Sequence, residues 1–299
     1  MHGASIALPP QFHGDFAEVA DLYLLAQGKR GTLQEDTPTS LRPNNDYLLL
    51  RVKQLSKLNP TILDFGCGNG ALVAAARANG YKAYGAETYY DGIRDQDRLA
   101  AQHWGCNDDI VRDIIHGHLD FEDEYFDLVV HNQVFEHIKD LEQAVSEIHR
   151  VLKPGGLMIG IFPTLGVLTE PHLNLPCIHW LPRGRVQMAW ARAMRSVGLG
   201  FSFWGEGEEW FQRAMVFLEE RVFFRTRAEI TMILEPLFRL KWIEPDWLGF
   251  RVPKCAWMLK LPGAPASARA FARIMAGVVV EAVKLEVIEP IERNGRTVI

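Results

Sequence analysis

The sequence predicts an α/β fold built on a mostly parallel sheet. Short apolar runs alternate with helical runs through residues 61–162, and a glycine-punctuated turn joins the first strand to the first helix. The first strand is Thr61-Ile62-Leu63-Asp64-Phe65, which breaks into the alternating glycines Gly66, Gly68 and Gly70. Residues 71–79 read as a helix stopped by Gly80, and 82–87 as the next strand. Residues 125–137 read as a later strand and the loop after it. Residues 141–152 form an amphipathic helix, and Lys153-Pro154-Gly155-Gly156 punctuates the chain before a strand at 157–162.

Glycines at this spacing let the backbone approach a ligand and aim its amides at it. A dinucleotide fingerprint sets its third glycine five residues after the first, whereas here Ala71 holds that position. A pyrophosphate cradle is therefore disfavoured. Asp64, two residues before the first glycine, puts a carboxylate beside the ligand, which suits an ammonium-bearing molecule better than a phosphate.

These motifs and their order resemble those of class I S-adenosylmethionine-dependent methyltransferases of the small-molecule type. The resemblance implies a Rossmann-like fold with a seven-stranded, mostly parallel sheet, S-adenosylmethionine as cofactor, and methyl transfer as the activity. Carried onto this chain, it implies donor contacts from Asp64, Gly66, Cys67, Gly68 and Gly70, the cysteine acting through its backbone. Glu87, followed by Thr88, matches the acid that ends the second strand and accepts both ribose hydroxyls; two adjacent donors can share its two oxygens. His131 and Asn132 fall where the family's fourth strand faces the methionine end. The adenine-side acid is matched by Asp113, two positions earlier than the usual spacing.

A chain of 299 residues, 48% hydrophobic and 23% charged, can bury a full core. The formal net charge of −5, with no dense Lys/Arg stripe, argues against a nucleic-acid partner. The four cysteines show neither a disulfide framework nor paired ligand spacing, consistent with a reducing cytoplasm. No secretory signal and no run of roughly 18 apolar residues is visible. The domain reading is a lead at 1–44, a cofactor core at 45–163, an insertion or lid at 164–224, a closing helix and final strands at 225–261, and a helical tail at 262–299. In it, 46–58 and 226–237 are helices, and 239–244 and 255–261 are the last strand pair. For the stretch 268–283, packing on the body, a dimer contact and a peripheral membrane contact all stay open; the sequence does not give the oligomeric state.

The insertion carries Trp180, Trp190, Trp204 and Trp210, as an acceptor pocket or lid beside the donor would, and as a helical subdomain with its own small core also would. A hydroxyl acceptor wants a base near neutral pKa, and the candidates are His137, His172 and His179. His137 follows the fourth strand in the pair Glu136-His137, where a structural role competes with catalysis. His172 and His179 lie in the lid. No sequence spacing among these residues completes a recognisable metal set, so no metal is expected. The acceptor is expected to be a small molecule, a hydroxyl of a sugar, secondary metabolite or lipid-linked group. An aminopropyl transferase or a non-catalytic scaffold on the same fold are the alternatives.

Overall fold

The computed structural model describes residues 43–55, 59–88, 94–275 and 277–285. The chain runs α1 (Pro43–Leu55), β1 (Thr61–Phe65), α2 (Ala71–Ala78), β2 (Lys82–Glu87), α3 (Arg94–His103), β3 (Val111–Asp113), β4 (Phe126–Asn132), α4 (Leu141–Val151) and β5 (Leu152–Phe162). The insertion follows, with the short hairpin β6 (Thr169–Glu170) and β7 (Leu175–Pro176), then α5 (Arg185–Ser196) and α6 (Gly207–Glu220). The chain then adds α7 (Arg227–Leu234), β8 (Phe238–Trp242), α8 (Glu244–Arg251), α9 (Ala264–Met275) and β9 (Val278–Lys284). Most of the lead expected at 1–44 lies outside the described residues.

Seven strands form one sheet in the order β3-β2-β1-β4-β5-β9-β8. β1 pairs in parallel with β2 and β4, β2 with β3, and β4 with β5, while β9 runs antiparallel between β5 and β8. This is the class I methyltransferase fold. Its central strands are apolar on both faces because helices cover both. Ile62, Leu128, Val130, Ile159 and Val279 pack with α1, α2 and α8 on one face. Leu63, Val129, Met158, Val278 and Val280 pack with α4 and α7 on the other. α1 is tied across the first face by an ion pair from Arg51 to the buried Glu281 of β9.

The closing strands differ from the sequence expectation. β8 falls within the expected region, but 255–261 does not pair: residues Pro253–Lys260 form a 3-10 helix, and Trp257 and Leu261 are exposed. Its partner is β9, taken from the stretch read as a helical tail. A strand inserted between two others must be buried on both faces, and nearly every residue of Val278–Lys284 is, whereas Trp257 and Leu261 are exposed. Gly277, at φ +115, ends the helical run where a Cβ would collide with Phe162 and Pro163. The β-branched Val278-Val279-Val280 follows as strand.

His131, expected near the cofactor, turns into the core instead. Successive side chains of β4 alternate in direction, so Val130 joins the α1 and α2 face while Val129 and His131 take the other. The His131 imidazole is fully buried, stacked on Phe135 with ring centroids 3.8 Å apart, and burial alone drives its pKa down to about 3. On the neighbouring strand Gly160 makes room for it, since a Cβ there would strike the ring. Gly160→Ala is therefore expected to cost about 1–3 kcal/mol of stability in denaturant unfolding, as overpacking does. Combined with His131→Ala it should cost less than the sum of the two single changes. Strict additivity would show that the ring and position 160 do not compete for the same space.

Candidate active site

The glycine turn hangs from the carboxyl end of β2. The Gly66 and Cys67 N–H groups both donate to the Ala86 carbonyl, at 2.8 and 3.2 Å. Gly66 has φ +73, and a Cβ there would run into Val134 of the loop after β4. At Gly68, φ +51, nothing lies within 4 Å of where a Cβ would stand, so this backbone faces open space. The Gly68 N–H donates to Glu87 Oε2 at 2.6 Å and the Thr88 N–H to Glu87 Oε1 at 2.8 Å. The turn then enters α2 at Gly70, which offers no side-chain cap to the first-turn N–H groups.

Two carboxyls converge below this turn. Asp64 is buried, and burial, followed by the charge of Glu87, raises its pKa to about 8. Burial raises Glu87 to about 7, against the opposing effect of its two backbone donors. Such a pair is favoured as carboxylates by an arriving cation and by hydroxyl donors. The Cys67 side chain belongs to the core on the α2 face, where burial pushes its thiol well up, so only its backbone belongs to the turn. Asp113 sits beside Glu87 in the β2–β3 register and is 3.2 Å from Arg98. Asn132 ends β4 and exchanges hydrogen bonds with Asn44 and Asn45 at the start of α1, at 3.1 and 2.8 Å.

The insertion has its own core of Leu173, Leu175, Ile178, Phe203, Trp204 and Trp210, among others. The indole N–H groups of Trp180, Trp190, Trp204 and Trp210 all donate to backbone carbonyls, which accounts for four large polar-edged rings in one segment. It is fastened to the loop after β4 by the Phe223 N–H donating to the Glu136 carbonyl at 2.7 Å. Arg225 also donates to the Ile138 and Lys139 carbonyls. A cleft of about 520 Å³ between α5 and α6, lined in part by Arg183, Met188, Arg192 and Met215, includes none of the glycine-turn residues.

This fastening brings together two of the three candidate histidines. His137, in a 3-10 turn after β4, and His172, in the β6–β7 hairpin, have ring centroids 4.8 Å apart. The His137 Nδ1–H donates to the Arg221 carbonyl at 2.7 Å, and the His172 Nδ1–H to Glu170 Oε1 at 2.6 Å. Beside them the buried Glu136 carboxyl has, among the described residues, no hydrogen-bond partner on either oxygen. Burial raises its pKa to about 8, and burial followed by the His172 charge lowers His137 to about 4. Burial, the largest single influence, would lower His172 and raise Glu170, but their mutual charge and hydrogen bond, with smaller helpers, together outweigh it, so His172 stands above and Glu170 below the ordinary value. His179 packs against Trp180 and Phe224, with centroids 5.4 and 5.0 Å away, and the Phe224 ring in turn stands 6.5 Å from that of His172. The sequence reading missed Glu136 and Glu170 as functional groups. Each stands next to, or two residues from, a histidine already singled out, but the two pairs lie in different elements.

With this geometry in view, comparison with known proteins is informative. Residues 63–160 match the family model described as "Methyltransferase domain". Residues 63–160 thus carry a methyltransferase domain, within the seven-stranded sheet described above. Among curated proteins, the "Ubiquinone biosynthesis O-methyltransferase" of Chelativorans sp. (strain BNC1) is 32% identical over 148 residues, covering 46% of this chain and 58% of that protein. The "Malonyl-[acyl-carrier protein] O-methyltransferase" of Pseudescherichia vulneris is 31% identical over 147 residues, 48% of this chain and 54% of that protein. The chain thus spans little more than half the length of these relatives. Among solved structures, the PH0226 protein of Pyrococcus horikoshii OT3 covers 86% of this chain and 95% of its own at 15% identity, with a TM-score of 0.49. Among the described residues no helix is long and apolar enough to cross a membrane.

The paired carboxyls of the methyltransferase domain give a pH signature. Both have native pKa values raised above their ordinary 3.8 and 4.5, so the native state holds more protons than the unfolded one in between. Their contribution to stability is fully present below that ordinary range and is lost as pH rises through the raised values. The unfolding temperature of the ligand-free protein should therefore carry a falling component from about pH 5 to about pH 8. Asp64→Asn should flatten it in calorimetric scans. An unchanged pH slope in that variant would remove Asp64 as a source.

Proposed function

We propose that this chain is an S-adenosylmethionine-dependent methyltransferase that methylates a hydroxyl of a small-molecule acceptor. The observation that carries the reading is the glycine turn closing over the buried Asp64 and the half-buried Glu87 at the ends of adjacent parallel strands. Open α/β sheets bind ligands at the carboxyl ends of their strands, and this end offers two carboxyls with open backbone beside them. Glu87, with Thr88 next to it, would take the ribose hydroxyls. Asp64 would face the cationic part of the donor, and Gly66, Cys67, Gly68 and Gly70 would line it with backbone. Asp113 is the proposed adenine-side acid and Asn132 the polar group at the methionine end.

Methyl transfer asks for alignment more than for covalent help. The acceptor oxygen attacks the methyl carbon in line, its proton passes to a neighbouring base or to solvent, the carbon–sulfur bond breaks, and S-adenosylhomocysteine leaves with the electron pair on sulfur. The protein positions both partners and excludes water. His137 and His172 are the proposed acceptor-side groups, since they stand in and against the loop that follows β4. His179, set among aromatic rings, is the weaker candidate for the reacting centre. The aromatic insertion would supply contact area for an acceptor of some size. The names of both curated relatives refer to oxygen methylation, which favours an oxygen acceptor; a sugar, secondary-metabolite or lipid-linked hydroxyl fits.

Glu87→Ala should weaken donor binding by about 1.5–3 kcal/mol, the range for lost hydrogen bonds to a charged group. Glu87→Gln, which keeps one acceptor oxygen for the Gly68 N–H, should lose less. Calorimetric titration with S-adenosylhomocysteine reads both, and unchanged affinity in the alanine variant would take Glu87 out of the donor site.

A further inference from the structure

We propose that Glu136, His137 and His172 bind a divalent transition-metal ion, with Glu170 and the Arg221 carbonyl orienting the two imidazoles. Donor atoms of the three side chains lie within 4.8 Å of one another. The ring hydrogen bonds select the tautomer. A carbonyl can only accept, so His137 carries its proton on Nδ1 and leaves Nε2 as a lone pair. The Glu170 carboxylate does the same for His172 from its other side. Metal-bound histidines are held in this way, by a carboxylate or a carbonyl on the nitrogen away from the ion.

Glu136 is the second, independent observation. Its side chain is wholly buried, neither oxygen has a donor among the described residues, and Oε1 is 4.0 Å from His137 Nε2. That distance is too long for a hydrogen bond, yet close to the separation of two ligands on one ion. Ligand bonds of 2.0–2.2 Å at tetrahedral angles put donor atoms about 3.4 Å apart, so closing the set takes shifts of about an ångström. Glu136 can make such a shift without giving up a hydrogen bond. Two imidazoles and one carboxylate suit zinc, iron(II), cobalt or manganese rather than calcium. Three protein ligands leave a coordination position open, and the His137 side chain is the most exposed of the three.

Two consequences follow. Because His172 belongs to the insertion while Glu136 and His137 belong to the core, the ion would clamp the lid to the loop after β4. Under the reading in the preceding subsection, on which this second role rests, the ion would take the acceptor hydroxyl as its open ligand. It would lower the hydroxyl's pKa so that its proton passes to solvent before the oxygen attacks the methyl group.

The test is titration of the chelator-treated full chain with Co²⁺, followed by visible absorption and calorimetry, with S-adenosylhomocysteine titrated in parallel. The expected result is binding of a single ion per chain, with ligand-field bands of nitrogen and oxygen coordination and a rise in unfolding temperature. Glu136→Gln and His172→Asn should abolish it, and Glu170→Gln should weaken it about 10–100-fold, as loss of an orienting partner does. Absence of uptake by protein that still binds S-adenosylhomocysteine overturns the metal site and leaves the donor site standing. Uptake that survives His172→Asn also overturns it, by putting the ion elsewhere. If a variant does not fold, the wild-type Co²⁺ spectrum decides: bands without imidazole character count against the site. Failure to bind S-adenosylhomocysteine with normal Co²⁺ uptake would instead overturn the methyltransferase reading and spare the metal site.

Discussion

The hydrogen bond from the Gly68 N–H to the Glu87 carboxylate joins the two halves of the candidate donor site. It exists because β1 and β2 run parallel in register, Phe65 opposite Ala86, so the turn leaving one strand meets the acid ending the other. The Ala86 carbonyl, taking both the Gly66 and Cys67 N–H groups, fixes the height of the turn above the sheet. Everything around it serves this arrangement. Val134 closes on Gly66 from the loop after β4, and Cys67 fills space left by Gly85. The cost is two carboxyls drawn out of water, and their raised pKa values record it. Groups strained in this way and gathered at a sheet's ligand-binding end are what a cationic, hydroxyl-bearing ligand would relieve.

A second polar centre is built on the same logic, but across two segments that are far apart in sequence. The loop after β4 supplies Glu136 and His137, and the insertion supplies Glu170 and His172. What brings them together is backbone: the Phe223 N–H on the Glu136 carbonyl, the Arg221 carbonyl on His137, and Arg225 on the carbonyls of Ile138 and Lys139. The insertion is thus a small helical unit with its own aromatic core that sets His172 against His137 of the loop after β4. Trp190, Trp204 and Trp210 are used for packing, and each of them, like the exposed Trp180, has its indole proton bound to a carbonyl.

The part of the chain legible in its sequence is the part with local punctuation. Strands 61–65 and 82–87, the helix at 71–78 and the helix at 141–151 stand where glycines, prolines and periodicity announce them. The closing strand was not legible, because Val278–Lys284 follows a helix after one glycine and its only marker is burial on both faces, a property of the sheet rather than of the segment. His131 illustrates the same limit: its position after an apolar run was clear, but the face it takes depends on the parity of β4 and on the space at Gly160. The pairing of His137 with His172 had no signature at all, since 35 positions of chain and two different elements separate them (172 − 137). Sequence spacing finds ligand sets carried on one element; it does not find those assembled by packing.

Calorimetric titration of the wild-type protein, freed of carried-over ligand, with S-adenosylmethionine, S-adenosylhomocysteine and NAD in parallel decides whether the turn over Asp64 and Glu87 is a donor site for S-adenosylmethionine. Both sulfur ligands should bind and NAD should not. Failure of both sulfur ligands to bind to folded protein would remove the donor site and the methyl transfer that depends on it.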